Sequence, residues 1–202
     1  MLVASNKALT VVDPRDQYQA RVRILDWYER QAPADFHLFG RGWDRPAALP
    51  GRWGRVRNQL RKILGRFLPA KSPYATCAAR STTRSSCLRA PAFVLAHENC
   101  RDLSGYVTEK LFDCFRAGCV PVYVGPQEIA DLIPADCFID GRSYETPAAL
   151  DAHLRTIDGT AYRATQERIR AFLLSDRARP FSQDHFADVL AREILADLPA
   201  AR

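Results

Sequence analysis

Residues 105–125 read GYVTEKLFDCFRAGCVPVYVG, and their pattern decides the fold. Thr108 has the chemistry of a helix N-cap, and Leu111, Phe112 and Phe115 recur at helical spacing through EKLFDCFRA. Gly118 stands where a helix needs a residue in the left-handed region to stop. CVPVYVG then runs without a charged residue to Gly125, as a strand does when both faces of a parallel sheet are covered. A glutamate and a lysine, Glu109 and Lys110, stand side by side at the start of that helix, a seam at which α/β sheets commonly hold charged ligands.

The same alternation continues on both sides. MLVAS and FHLFG read as short strands around a helix from Gln17 to Arg30, whose inner side carries Tyr18, Val22, Leu25 and Tyr28 or Trp27. AFVLAHE reads as the strand before the opening stretch, and CFIDG as the strand after it, followed by a helix from about Pro147. The C-terminal third, from AYRATQERIRAFLL to DHFADVLAREILADL, reads as helical. The expected fold class is α/β, a parallel sheet with flanking helices, and residues 1–202 are read as a single domain.

Composition excludes several classes. With 202 residues, 47% hydrophobic and 26% charged, the chain has enough apolar material for a sizeable core and is not a disordered tail. There is no run of about 18 apolar residues, and MLVASNKALTVVD lacks the charge and apolar pattern of a signal peptide, so a cytoplasmic location is expected. The six cysteines contain no C-x-x-C pair, which argues against a zinc site, and Cys114, Cys119 and Cys137 lie in apolar patterns where a thiol packs as a small hydrophobe. No metal site is expected.

The net charge of +6 is unevenly placed. Residues 41–90 hold 12 of the 29 Lys and Arg and a single acid, Asp44, giving +11 against −5 elsewhere. Within them GRWGRVRNQLRKILGRFLPAK, residues 51–71, sets Trp53, Val56, Leu60, Ile63, Leu64, Phe67 and Leu68 at helical spacing, with Arg52, Arg55, Arg57, Arg61, Lys62 and Arg66 between them. That pattern fits a helix lying on an anionic membrane surface, peripheral on the inner face, or a helix packed on a core with a solvated basic face. No stacking ladder or recognition motif supports nucleic acid as a partner. The rest of 46–91 is expected to be irregular.

The physics of the Glu-Lys pair leaves two readings. A helix N-terminus carries a partial positive charge that disfavours a lysine, so a bound diphosphate would explain Lys110, while Glu109 has the acceptors to hold both hydroxyls of a ribose and Tyr106 a ring to lie against base or sugar. The other reading is an ordinary exposed pair at a helix start.

Residues 93–140, FVLAHENCRDLSGYVTEKLFDCFRAGCVPVYVGPQEIADLIPADCFID, resemble the signature block of the α-1,3-fucosyltransferases, glycosyltransferase family 10. The likeness extends to SNK at 5–7, YQARVRILDWYE at 18–29, FHLFGRGW at 36–43 and RPFSQDHFADVL at 179–190. The resemblance implies a Rossmann-like sheet forming the C-terminal, donor-binding half of a GT-B glycosyltransferase, the N-terminal acceptor domain being absent. It implies transfer of L-fucose, with inversion, from GDP-fucose to an acceptor oligosaccharide or glycan, in protein glycosylation among other settings, with no tightly bound cofactor and no requirement for a divalent metal. Arg21 and Lys110 match the family's diphosphate-binding residues, Glu109 its ribose-binding glutamate and Tyr106 its donor-contacting tyrosine. Glu98 and Asn99 match its E-N dipeptide and are expected in the donor pocket, while His97 replaces the aromatic residue usual before them.

Two departures temper the activity expected of the chain alone. The family's general base is a glutamate of the acceptor-side domain, so no catalytic residue is assigned, and an acceptor-domain chain is a conceivable partner. Residues 73–93, PYATCAARSTTRSSCLRAPAF, replace the family's Y-R-G-x-V-x-x-K segment with a run of Ser, Thr, Arg and Cys, as either a local shift of reading frame or a divergent loop would produce. The alternatives to a donor domain are a silent or frame-disrupted fragment that at most binds GDP, and a basic membrane-surface module.

Overall fold

The computed structural model describes residues 1–9, 11, 13–43, 45–65, 74–76 and 92–197. Five parallel strands form one sheet: β1 (Leu2–Val3), β2 (Leu38–Phe39), β3 (Phe93–His97), β4 (Val120–Val124) and β5 (Ile139–Asp140), in the order β2-β1-β3-β4-β5. The expected α/β class with a Rossmann-like parallel sheet is present, with β1 and β2 shorter than MLVAS and FHLFG suggested. The chain winds outward from β1 to β2, then returns past β1 to β3 and proceeds through β4 to β5. The junction of β1 and β3 is therefore a switch point, with a crevice at the carboxyl ends of the two strands.

Helices cover both faces. On one face α1 (Gln17–Gln31) packs near α5 (Pro147–Thr156), around Leu2, Ile24, Leu25, Leu38, Leu95, Val122 and Leu150. On the other, α3 (Glu109–Ala117) and α6 (Gly159–Leu173) close over Val94, Ala96, Leu111, Phe115, Ile169 and Phe172. Cys114, Cys119 and Cys137 sit in that second layer, as their apolar surroundings suggested. β3 alternates across the two layers, Val94 and Ala96 to one and Leu95 to the other, and β4 is buried along its whole length.

The expected helix ends hold. Asp16 caps α1 by accepting from the Tyr18 amide at 2.7 Å, Thr146 caps α5, and Gly118 ends α3 at φ 76°. Two expectations are corrected. The inner stripe of α1 is Gln17, Arg21, Ile24, Leu25 and Tyr28, with Tyr18 and Val22 only half-buried, because an arginine is drawn inward by carbonyl partners on β3. Thr108 has the backbone of an N-cap but its hydroxyl turns to Glu98 instead. At the β2 exit, Gly40 (φ 138°) is required because a Cβ there would overlap the Ala4 carbonyl at the neighbouring β1 exit.

The basic segment holds α2 (Gly51–Leu64), fourteen residues of regular helix within the stretch 51–71 whose spacing suggested one. Arg66, Phe67, Leu68 and most of 73–93, with its departure from the family pattern, lie outside the described residues. The short helix α4 (Ile129–Leu132) precedes β5, and α7 (Gln183–Asp197) ends the described chain. Among the described residues no helix is long and apolar enough to cross a membrane.

Candidate functional site

Five of the residues singled out in the sequence, Arg21, Glu98, Asn99, Tyr106 and Lys110, meet at the carboxyl end of β3. Arg21 is 5% exposed and lies across the strand exit, where its Nη2 donates to the carbonyl oxygens of His97 (2.9 Å) and Glu98 (2.8 Å) and to Asn99 Oδ1 (2.9 Å). Asn99 Nδ2 in turn donates to the Tyr106 hydroxyl at 3.4 Å. The Arg21 guanidinium lies 5.1 Å from the centre of the Tyr18 ring. Burial pulls the Arg21 pKa down from its high ordinary value, while Tyr18, Glu98, Asp16 and Tyr106 push the other way.

Beside this arginine clamp stands a second cation, on the first turn of α3. Lys110 Nζ donates at 2.8 Å to Glu98 Oε2 and at 2.8 Å to Thr108 Oγ1, and its side chain is 18% exposed. Glu98 is fully buried. Its Oε1 accepts from the Thr108 amide (2.9 Å) and from the Tyr123 hydroxyl (3.2 Å), and Thr108 Oγ1 lies 2.8 Å from Oε2. Burial, and then the neighbouring Glu98 charge, raise the Tyr123 pKa, which keeps that hydroxyl a donor. A buried carboxylate with this many donors has its oxygens satisfied and fixes the lysine in place.

This geometry revises the sequence argument for Lys110. Its charge at a helix N-terminus is balanced by Glu98, twelve residues earlier, so the chain needs no bound phosphate to explain the lysine. Glu98 itself, expected among pocket residues, supports Lys110 and the Thr108 turn from beneath. Glu109, at the first position of α3, is exposed to solvent. Thr108 and Tyr123 were not anticipated as site residues. The only signal for Tyr123 was a phenol inside an otherwise apolar strand, which must find a partner when buried.

His97, in the place of the expected aromatic residue, is 5% exposed and neither ring nitrogen has a hydrogen-bond partner. Burial, with Arg21 adding to it, pushes its pKa down to about 3, so the ring is neutral. It separates two openings at the sheet edge. One is a notch of about 30 Å³ between β1, β3 and α3, reached by Arg21, Lys110 and Asp113. The other is a cleft of about 390 Å³ on the α1 and α5 side, lined by Asp16, Arg23, Arg101, Arg142, Tyr144 and Glu145 among others. Among the described residues, no three His, Cys, Asp or Glu side chains are placed to hold a metal ion.

Comparison with known proteins places this arrangement. The family model "Glycosyltransferase family 10 (fucosyltransferase) C-term" matches residues 56–166, more than half of the chain. The 4-galactosyl-N-acetylglucosaminide 3-alpha-L-fucosyltransferase 9 of Homo sapiens is 41% identical over 68 residues, 33% of this chain and 19% of that protein. The Alpha-(1,4)-fucosyltransferase of Arabidopsis thaliana is 34% identical over 106 residues, 50% of this chain and 26% of that one. The chain thus spans about a fifth to a quarter of the length of the curated relatives it matches. A crystal structure of an alpha1,3-fucosyltransferase with GDP-fucose superposes with a TM-score of 0.47 at 16% identity, over 81% of this chain and 38% of that chain. On the match to its C-terminal family model, with the E-N, Y-V-T-E-K-L and A-G-x-V-P-V-Y-x-G motifs folded around one sheet edge, the chain belongs to glycosyltransferase family 10, the fucosyltransferases.

Proposed function

We propose that the chain binds GDP-fucose at the carboxyl edge of β1 and β3 and serves as the donor half of a GT-B type α-1,3-fucosyltransferase. The observation that carries this reading is the convergence of two cations, Arg21 and Lys110, beside the N-terminus of α3 at the switch point of the sheet. Glu98 and Thr108 take two of the three donors of the Lys110 ammonium, and the remaining one is assigned to the diphosphate. Arg21 holds β3 through Nη2, and its Nε and Nη1 are assigned to the same group. Glu109 takes the ribose hydroxyls, Tyr106 contacts the donor, and Asn99 holds Arg21 and Tyr106 in register.

In the reaction the acceptor hydroxyl oxygen forms a bond to the anomeric carbon of fucose while the bond from that carbon to the GDP oxygen breaks. GDP leaves with the electron pair, and the configuration inverts. The hydroxyl proton passes to a base on the acceptor side, to which no residue of this chain is assigned. Charge grows on the diphosphate as the bond breaks, and cations already held by Glu98 and the β3 carbonyls stabilise it without rearranging. Thermal melts with GDP, UDP and ADP test this reading. GDP is expected to raise the melting temperature most, by the linkage of binding to folding, and equal shifts with all three would reduce the site to a generic phosphate cradle.

A further inference from the structure

α2 is amphipathic in the usual way but docked in the unusual direction. At about 100° per residue, Trp53, Val56, Leu60, Ile63 and Leu64 fall on a single stripe of the helix, and Gly54 and Asn58 lie on the opposite side. The side turned to the fold is the second one. Gly54 is buried so closely against Leu49 that a Cβ would overlap the Leu49 carbonyl. Asn58 accepts from the Leu49 amide (3.1 Å) and donates to the Leu49 carbonyl (3.0 Å). The segment before the helix is tied in turn to the β1 exit, where Ala48 donates to Asn6 Oδ1 at 2.7 Å.

The apolar stripe therefore faces out. Trp53 is 83% exposed, and Leu60, Ile63 and Leu64 are each more than half exposed. Arg52 borders the stripe on one side and Arg57 on the other, and with Arg55, Arg61 and Lys62 the helix carries five cations and no acid.

We propose that this face of α2 binds the surface of an anionic lipid bilayer. An apolar stripe with an aromatic residue, bordered by arginines whose stems reach along the apolar boundary, is the chemistry of a helix lying in the headgroup plane. Each cation near such a surface adds attraction that falls off within a Debye length. The charge selects the lipid over other occupants. α7 also exposes apolar residues, Phe186, Leu190, Ile194 and Leu195, yet it carries four acids and one arginine, which an anionic surface repels. This proposal stands apart from the donor-site reading, and either can fail while the other stands.

The test is flotation of the full chain with phosphatidylcholine vesicles, with and without about 30% phosphatidylglycerol. Binding to the anionic vesicles is expected to exceed that to neutral ones by at least about tenfold, and to fall by a similar factor between about 0.1 M and about 1 M NaCl. Leu60→Glu with Ile63→Glu should abolish flotation, while Leu190→Glu with Ile194→Glu leaves it unchanged. All four side chains are exposed, so unchanged melting temperatures verify that both variants fold. Equal binding to neutral vesicles, binding to neither, or flotation that survives the α2 substitutions overturns the proposal. A concentration-dependent dimer that those substitutions dissolve, with no vesicle binding, would give the face to a second copy and also overturn it.

Discussion

α3 and α2 have nearly the same sequence pattern and opposite fates. Both interleave apolar residues at helical spacing with charged ones. α3 turns Leu111, Cys114 and Phe115 into the core, and the charge it must bring inward, Lys110, meets a buried carboxylate built to receive it. α2 turns a glycine and an asparagine inward and leaves its apolar residues in water. Amphipathic spacing thus tells that a helix has two faces and not which one the fold takes. What decides is whether the inward face finds a complementary surface: close-packed hydrocarbon against β3 and β4 for α3, the loop backbone at Leu49 for α2.

Paired truncations are the strongest way to break this contrast. Leu111→Ala removes a side chain with no exposure and should cost about 4 kcal/mol, whereas Leu60→Ala should change stability by less than about 0.5 kcal/mol. Denaturant midpoints at constant slope measure both, and a comparable loss at Leu60 would mean the α2 stripe is covered.

The polar side of the contrast can be sharpened through the ion pair. Lys110→Ala leaves Glu98 buried without its cation and should cost about 3 kcal/mol. Glu98→Gln combined with Lys110→Met should cost less than half as much, since the pair is replaced instead of broken. Equal losses would show that Glu98 depends on Thr108 and Tyr123 alone.

His97 is the smallest lever. His97→Phe removes two unpartnered buried nitrogens and should stabilise the fold by about 1 kcal/mol. The sign of its pH effect is set by a folded pKa of about 3 against an ordinary 6.5. As pH falls below 6.5 the unfolded chain takes up a proton that the folded ring refuses, so stability is full above that value and declines with acidification. Between pH 7 and pH 5 the phenylalanine variant should lose less stability than the parent, and equal losses would place the acid sensitivity elsewhere.

These residues also show what was readable in advance. The ends of α3 and the buried runs of β3 and β4 were legible because caps and unbroken apolar strands are local properties. The inward turn of Arg21 was not, since its carbonyl partners lie more than seventy residues away on β3. Nor was the partner of Lys110, which the adjacent Glu109 suggested and the distant Glu98 supplied. The orientation of α2 stayed open for the same reason: Gly54 and Asn58 carry no apolar signal. The family motif, and not periodicity, singled out Arg21 and Asn99. The roles of Thr108 and Tyr123 were not legible, because a phenol in an apolar strand signals only that a partner exists, and hydrogen bonding to a buried carboxylate leaves no pattern along the chain that names it.

The central claim is that Lys110 meets a diphosphate. Calorimetric titration of GDP and of guanosine into the parent and into the Glu98→Gln, Lys110→Met chain tests it without an orphaned buried charge. Loss of one charge-assisted contact should weaken GDP by about 1.5–3 kcal/mol and leave guanosine unchanged, and Glu109→Gln, in contrast, should weaken both ligands alike. An unaltered GDP affinity in the doubly substituted chain, or an equal loss for guanosine, would contradict the assignment.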